Sequence, residues 1–421
     1  MIDQPYNILF VCTGNAGRSQ MAEALFKALM KSPVGIFSGG VEPWPDLHPM
    51  ARKLMAEQGL DLAGHHPKSV RQFVDQEMDV VVTIGDRAKD ETPDFRTGVR
   101  RIHWDIRDPA DADGTPDSER VFRTTCRAIA DRLPGLQKIL ARIPRRRDWV
   151  RLPVVSSVLT RPDPFNPETH LPLFAAAGVK AIELTFYWEG QDFVWEKPGA
   201  VARLKRVADA LGIRIASLHP PDQGLLHDES RIIQIEVLKR TADLAAELGA
   251  ATISCHAGFR LPLEATRERA LERMDQSLEE LGAYVADLPV VFCLESLMGS
   301  PDCISNPDLV ARIKARNADS FGFVLDTGHA QLAGNLADLP ALAGRRLQNV
   351  HLHDNDGRSD LHGFPGSGVI KWPVFMRALD LCGYEGPMLL EVEARQMTLE
   401  DRLRRCNEAF AFLRQAGPQN F

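Results

Sequence analysis

The sequence contains no apolar run near the roughly 18 residues needed to cross a bilayer. Its opening, Met1-Ile2-Asp3-Gln4-Pro5, lacks the basic and apolar segments of a secretory signal. A membrane partner is therefore not expected, and the chain reads as cytoplasmic. Cysteine is scarce: seven thiols are scattered along 421 residues without the paired spacing of a structural zinc site, the usage of a reduced compartment. A surplus of basic charge is also missing. Lys and Arg number 50 against 57 Asp and Glu, and the net charge of −7 excludes a general nucleic-acid coat, though not a local basic groove. No short repeat and no low-complexity tract interrupts an otherwise globular composition.

What is present begins with length. A chain of 421 residues exceeds one ordinary core and suggests two domains. Proline and three arginines at Ile143-Pro144-Arg145-Arg146-Arg147-Asp148 follow a helix-like stretch over 121–140. The expected division is a first domain over 1–143, a linker over 144–151 and a second domain over 152–421. Arg145–Arg147 read as solvated linker residues rather than as phosphate or nucleic-acid contacts.

Near the start, the apolar run Ile8-Leu9-Phe10-Val11 leads into Cys12-Thr13-Gly14-Asn15-Ala16-Gly17-Arg18-Ser19. This is a strand delivering a thiol into a glycine-containing loop, with a helix following from Gln20. Such a loop aims the N–H groups of residues 13–18 and a helix N-terminus at one point, an arrangement suited to an oxyanion. The same field favours the thiolate of Cys12 as a nucleophile. Arg18 is placed to grip two oxygens of phosphate or arsenate, and Ser19 to donate to the sulfur.

The octet resembles the low-molecular-weight phosphatase and thioredoxin-type arsenate reductase families. The resemblance runs through Ser38-Gly39-Gly40, His48-Pro49, Gly59-Leu60-Asp61 and His65-His66-Pro67-Lys68-Ser69 to Asp108-Pro109, about the first 140 residues. It implies that Asp108 is the general acid for the leaving group. Two departures narrow the chemistry. The relay cysteines of the reductases are missing: the loop has Gly17, and Thr83-Ile84-Gly85-Asp86-Arg87 contains no thiol, while Cys126 lies in a helical pattern. Arsenate reduction would then need an external thiol such as glutathione or mycothiol. Asp108-Pro109 is followed by Ala110-Asp111-Ala112-Asp113-Gly114, without the aromatics that suit phosphotyrosine.

Beyond residue 151, eight short apolar stretches read as strands: 153–159, 181–186, 214–218, 252–255, 290–294, 321–325, 348–352 and 388–392. Helical patterns over 198–211, 232–248, 264–286 and 372–382 fall between them. The alternation predicts a parallel barrel of the triosephosphate-isomerase type. The whole chain is thus expected to be α/β, an open parallel sheet with flanking helices followed by a (β/α)8 barrel. Polar residues cluster at strand ends: His219, His256, Glu295, Asp326 with His329, His351, then Asp354, Asp360 and His362, and Glu391. Histidines and carboxylates converging at the C-terminal ends of barrel strands form a divalent-metal pattern.

Leu325-Asp326-Thr327-Gly328-His329, His351-Leu352-His353-Asp354-Asn355-Asp356, Asp360-Leu361-His362 and Gly366-Ser367-Gly368 resemble the xylose-isomerase-like barrels, a group of sugar and sugar-phosphate isomerases and epimerases that also includes endonuclease IV. The isomerase branch implies one metal held by Glu295, Asp326, His351 and Glu391, with Glu295 and Glu391 also moving the substrate proton. The nuclease branch implies three zinc ions, recruiting His219, His256, His329, Asp360 and His362 as well. The segment Ser296-Leu297-Met298-Gly299 after Glu295 and the glycine at 328 favour the isomerase branch. Four oxygen-rich ligands would suit manganese, magnesium or cobalt, whereas recruitment of the histidines would favour zinc. His353 should face away from His351 in an alternating strand, outside the metal shell. The expected substrates are a phosphorylated or polyhydroxylated small molecule for the barrel and phosphate or arsenate for the first domain. The alternatives are an arsenic- or stress-response fusion with a phosphodiesterase barrel, and an oxyanion sensor that regulates the barrel.

Overall fold

Residues 6–30, 35–76, 78–95, 99–140, 151–186, 193–221, 224–226, 228–258, 266–299 and 304–417 are described by a computed structural model. The chain separates into two units, Met1–Asp148 and Trp149–Phe421. The linker expected over 144–151 lies outside the described residues, except for Arg151.

In the first unit β1 (Asn7–Cys12), β2 (Gly35–Gly40), β3 (Val80–Ile84) and β4 (Arg100–Trp104) form a parallel sheet in the order β2-β1-β3-β4. The helices are α1 (Arg18–Leu29), α2 (Pro49–Glu57), α3 (Asp86–Glu91) and α4 (Ser118–Leu140). Ile8 and Phe10 join one core with Phe26, Phe122 and Ile129, while Leu9 and Val11 join another with Val70, Phe73 and Phe95. A strand covered on both faces must be apolar at every position, which is why β1 reads as an unbroken run. The connections from β1 lead first to β2 on one side and then to β3 on the other, so the sheet order switches at β1. Open α/β sheets bind ligands at such a point, beyond the strand's carboxyl end, and β1 ends there on Cys12. Gly40 pairs with Cys12, and a Cβ on it would lie 2.8 Å from Thr13 O and 2.9 Å from Asn15 N.

The second unit is a closed parallel barrel of β5 (Pro153–Ser156), β6 (Ala181–Thr185), β7 (Arg214–His219), β8 (Thr252–Cys255), β9 (Val291–Glu295), β10 (Phe321–Asp326), β11 (Leu347–Leu352) and β12 (Met388–Leu390). Each strand pairs with the next, and Leu389 beside Val154 closes the ring. Helices α5 (Pro167–Ala176), α6 (Ala200–Leu211), α7 (Asp228–Leu248), α8 (Arg267–Tyr284), α9 (Asn306–Lys314), α10 (Thr327–Leu332), α11 (Leu339–Ala343), α12 (Trp372–Leu381) and α13 (Leu399–Ala416) complete it. Several start on side-chain caps: Asn166, Thr266, Ser305 and Thr398 each accept from the first-turn N–H groups of α5, α8, α9 and α13.

Strand ends depart from expectation by more than one residue at two places. β5 stops at Ser156, and Ser157–Thr160 forms a 3-10 turn in which Val158 and Leu159 stay buried. An apolar run reports burial, not pairing, so sequence periodicity extends the strand too far. β12 likewise ends at Leu390, leaving Glu391 one residue beyond the ladder.

The segment after β11 is fastened by Asp354. Its Oδ1 accepts from Asn355 N at 3.0 Å and Ile370 N at 3.1 Å, and its Oδ2 from Gly366 N at 3.0 Å and Trp372 Nε1 at 2.9 Å. Between these anchors the chain carries Asp360 and His362. Replacing Asp354 by Ala strips the acceptor from the buried donors of Asn355, Ile370 and Trp372, each costing about 1–3 kcal/mol when left unmade. Asp354→Ala should therefore lower the unfolding free energy in urea denaturation by about 3 kcal/mol.

Candidate functional sites

In the first unit the loop 12–19 is organised around Asn15, which adopts the left-handed conformation at φ 48°. Its Oδ1 accepts from the backbone N–H of Lys68 at 2.7 Å, which fixes the amide's orientation. Nδ2 therefore donates to Ser19 Oγ, 2.8 Å away. Ser19 Oγ in turn lies 2.9 Å from Cys12 Sγ, a contact in which either group can donate, and 3.5 Å from Gly39 O. Gln20 supports the loop from behind, donating to Asn15 O at 3.1 Å and His66 O at 3.0 Å, and His65 Nδ1 reaches Gln20 Oε1 at 2.7 Å. The His65-His66-Pro67-Lys68 segment thus acts as a brace for the nucleophile loop.

Arg18 is almost fully buried. It donates to Ile106 O at 3.0 Å and Thr13 Oγ1 at 3.3 Å and pairs with Asp108, 90 residues along the chain. Asp108 is 31% exposed and caps the turn Pro109–Ala112, so it stands at the rim. Trp44 lies against Gly14, where a Cβ would meet its ring at 2.6 Å. His48 has a structural place: Nδ1 accepts from Met50 N at 3.1 Å to cap α2, which leaves Nε2–H to donate to Asp113 at 2.8 Å. At Gly85 the backbone has φ +87°, and a Cβ would lie 2.4 Å from Arg18 Nη1. That position has no room for a resolving thiol. Cys126 is buried, its thiol pushed up by that burial, and it accepts from Gln58 Nε2 at 3.3 Å.

In the second unit the strand-end residues come together. One oxygen or nitrogen from each of Glu295, Asp326, His351 and Glu391 falls within 4.8 Å of the others, and all four residues are buried. His351 Nδ1 lies 3.0 Å from Glu391 Oε2 and 3.4 Å from Glu295 Oε1. His219 Nε2 is 3.2 Å from Glu295 Oε2, and His256 Nε2 is 3.5 Å from Glu295 Oε1. His329 donates from Nδ1 to Ser296 O at 2.9 Å, and His362 from Nδ1 to Glu391 O at 2.9 Å. A carbonyl only accepts, so both imidazoles turn Nε2 toward Asp360 Oδ2, at 3.3 and 3.2 Å. Asp326 also caps α10 by accepting from His329 N at 2.7 Å.

The electrostatics follow from burial against pairing. Burial opposes the charge on Glu295, but His351 and His256 outweigh it and hold the carboxyl well below the usual range. Burial also opposes the charge on His351, and Glu295, Glu183 and Glu391 overcome it, keeping the imidazole protonated well above its ordinary range. For His329, burial is outweighed by Asp326 and Asp360, which raise it to about 9. Burial of His362 is outweighed by Asp360 and Glu391, to about 10. Glu295 Oε2 and His351 Nδ1, facing His219 and Glu391 respectively, still lack a well-directed hydrogen bond. Buried donor atoms turned to a common point without satisfying one another suit a cation, and this donor set fits a divalent metal.

Two residues depart from the sequence reading. His353, expected to point away, turns into the site: its Nε2 lies 2.8 and 2.9 Å from the two oxygens of Asp326, and its ring stacks on His362 at 4.0 Å. The alternation argument fails because β11 ends at Leu352. Gly328 makes room, since a Cβ there would lie 2.0 Å from the His353 ring. Glu183 in β6 was missed. It is fully buried, with Oε2 at 3.4 Å from His351 Nε2. The available signal was a carboxylate in the middle of an apolar strand, Ala181-Ile182-Glu183-Leu184-Thr185.

Known proteins resemble each unit separately. The family described as Xylose isomerase-like TIM barrel matches residues 171–416, and Low molecular weight phosphotyrosine protein phosphatase matches 7–146. An arsenate reductase of Halalkalibacterium halodurans is 36% identical over 127 residues, 30% of this chain and 91% of the relative. That of Bacillus subtilis is 36% identical over 115 residues, 27% of this chain and 82% of the relative. Among solved structures, a D-tagatose 3-epimerase-like protein superposes with TM-score 0.53 at 21% identity, covering 62% of this chain and 98% of its own. An L-ribulose 3-epimerase gives TM-score 0.52 at 18% identity, covering 63% and 93%. Among the described residues, no helix is long and apolar enough to cross a membrane. The chain belongs to the xylose isomerase-like TIM barrel family and carries, fused ahead of that barrel, a domain of the arsenate reductase family with the low-molecular-weight phosphatase pattern.

Proposed function

We propose that the first unit is an arsenate reductase that draws on an external thiol, and that it retains phosphatase chemistry on generic phosphate monoesters. The contact of Ser19 with Cys12 Sγ at 2.9 Å carries this reading: a thiolate can only accept, and Ser19 is the hydroxyl placed to donate to it during attack. Arg18 grips the oxyanion, Cys12 attacks its central atom, and Asp108 protonates the departing oxygen. With position 85 closed to a side chain and Cys126 buried, a small thiol such as glutathione or mycothiol takes arsenic's place on Cys12, leaving a mixed disulfide and arsenite.

For the barrel we infer a divalent-metal-dependent isomerase or epimerase acting on a polyhydroxylated carbonyl compound, a sugar phosphate being the first candidate. The carrying observation is the convergence of Glu295, Asp326, His351 and Glu391. A cation held there would polarise a chelated carbonyl and acidify the neighbouring C–H. Glu295 and Glu391 arrive from different strands on either side of His351, so one carboxylate accepts that proton and the other returns one. A second reading, a polynuclear phosphodiesterase, draws on two further clusters: His219 and His256 with Glu295, and His329 and His362 on Asp360. These would favour additional zinc.

Cys12→Ser should abolish both phosphate-monoester hydrolysis and arsenate reduction while oxyanion binding persists, and Asp108→Asn should slow turnover. Rapid hydrolysis by Cys12→Ser, measured with an aryl phosphate, would remove the nucleophile assignment.

In the barrel, Glu295→Ala combined with Asp326→Ala should abolish stoichiometric binding of Mn2+ or Zn2+ by elemental analysis. Adding metal to the metal-free protein at pH 7 should release protons into weak buffer, because His351 stays protonated there and His329 up to about 9. Those protons compete with the ion, so apparent affinity should fall as pH falls, and proton release should shrink as pH rises past 9.

Metal-loaded protein should exchange solvent deuterium into the carbon beside the carbonyl of at least one member of a sugar and sugar-phosphate panel. Efficient incision of abasic DNA, with no exchange across the panel, would favour the phosphodiesterase instead.

A further inference from the structure

Glu183 is a carboxylate buried inside the barrel, on a strand that supplies none of the metal ligands named above. Its Oε2 accepts from Ser217 Oγ at 2.7 Å and Ser254 Oγ at 3.4 Å. The same oxygen lies 3.4 Å from His351 Nε2, and Ser254 Oγ lies 3.3 Å from that nitrogen. Strands β6 and β8 thus send a polar group to the back of one imidazole, and β7 holds the Glu183 carboxylate in place through Ser217. The front of that imidazole, Nδ1, faces Glu295 and Glu391.

We propose that Glu183 is a positioning residue that fixes the proton of His351 on Nε2, directly and through Ser254, and so reserves Nδ1 for a metal ion. The proposal rests on the metal-site reading above. A carboxylate can only accept, so the hydroxyls of Ser217 and Ser254 both donate to it. Ser254 has a single hydrogen. Once that hydrogen points to Glu183, the Ser254 oxygen is left as an acceptor, and the group facing it from His351 must be N–H. Both neighbours of Nε2 are therefore acceptors, and the neutral ring keeps its hydrogen there, with its lone pair on Nδ1. Metal-bound histidines generally need such an outer partner to hold their tautomer and ring orientation.

A purely space-filling role for Glu183 predicts something different. Gln has the same shape, and its carbonyl oxygen accepts from Ser217 equally well, so packing alone would survive Glu183→Gln. The charge that orders the hydroxyls would not. Full-length protein labelled with 15N-histidine and loaded with Zn2+ should show His351 with a protonated Nε2 and a metal-coordinated Nδ1, its signals assigned by their loss in His351→Gln. Glu183→Gln, checked for folding by its metal-free melting curve, should bind Zn2+ about 10- to 100-fold more weakly. A bare Nε2 in the loaded wild type would overturn the proposal without any variant, as would a folded Glu183→Gln that binds Zn2+ within about twofold of wild type. Failure of the wild type to bind Zn2+, or full retention by the Glu295→Ala/Asp326→Ala variant, would instead bring down the metal-site reading and this proposal with it.

Discussion

The barrel is organised by the need to bury carboxylates beside imidazoles. Glu183, Glu295, Asp326 and Glu391 all lie in the interior or just above it, where an unpaired ionised carboxyl costs several kcal/mol. Among the described residues, no lysine or arginine forms an ion pair with any of them. Histidines take that role: His351 stands between Glu295 and Glu391, with Glu183 behind it. Burial works against the charges on Glu295, Glu391 and His351, and the pairings win, which is why the two carboxyls are held low while His351 is held high. Removing one member therefore disturbs all the others. The arrangement is also a poor end point on its own terms, because protons that neutralise it occupy the nitrogens a cation would use.

The reach of sequence reasoning follows from this geometry. The ends of parallel strands were legible because function in a barrel collects at one rim and the intervening residues are apolar. His219, Glu295, Asp326 and Glu391 each follow such a run. Glu183 escaped because it sits inside its strand rather than at the end, and only the ring closure that brings β6, β7 and β8 around beneath β11 gives it a partner. His353 was misjudged by carrying the two-residue alternation one step past Leu352. Its true direction depends on the missing side chain at Gly328, 25 residues earlier, which no local pattern announces.

The nucleophile loop shows the opposite balance. Cys12, Asn15, Arg18 and Ser19 occupy eight consecutive residues, and most of their mutual contacts are local, so the motif was legible almost complete. What could not be seen were the long-range supports. The Lys68 backbone sets the Asn15 amide from 53 residues away, and Ile106 anchors Arg18 from 88. The proline and histidine motifs at 48–49 and 65–68 were recognisable as pattern without revealing their work. One caps a helix and the other braces the loop.

The two sites also differ in what must fold before they exist. The thiol loop depends on a single strand–helix turn, a paired glycine and a brace, so its geometry is set once β1 lies between its neighbours. The barrel centre draws on β6 through β12, and Glu391 reaches it only after the last strand closes against the first. Local unfolding at that seam would release one carboxylate of the pair around His351 and leave Glu295 to balance the imidazole alone. A cation bridging Glu295 and Glu391 would join the fifth strand of the barrel to the eighth. Binding there stabilises only the closed ring, so ligand binding and barrel closure are thermodynamically linked.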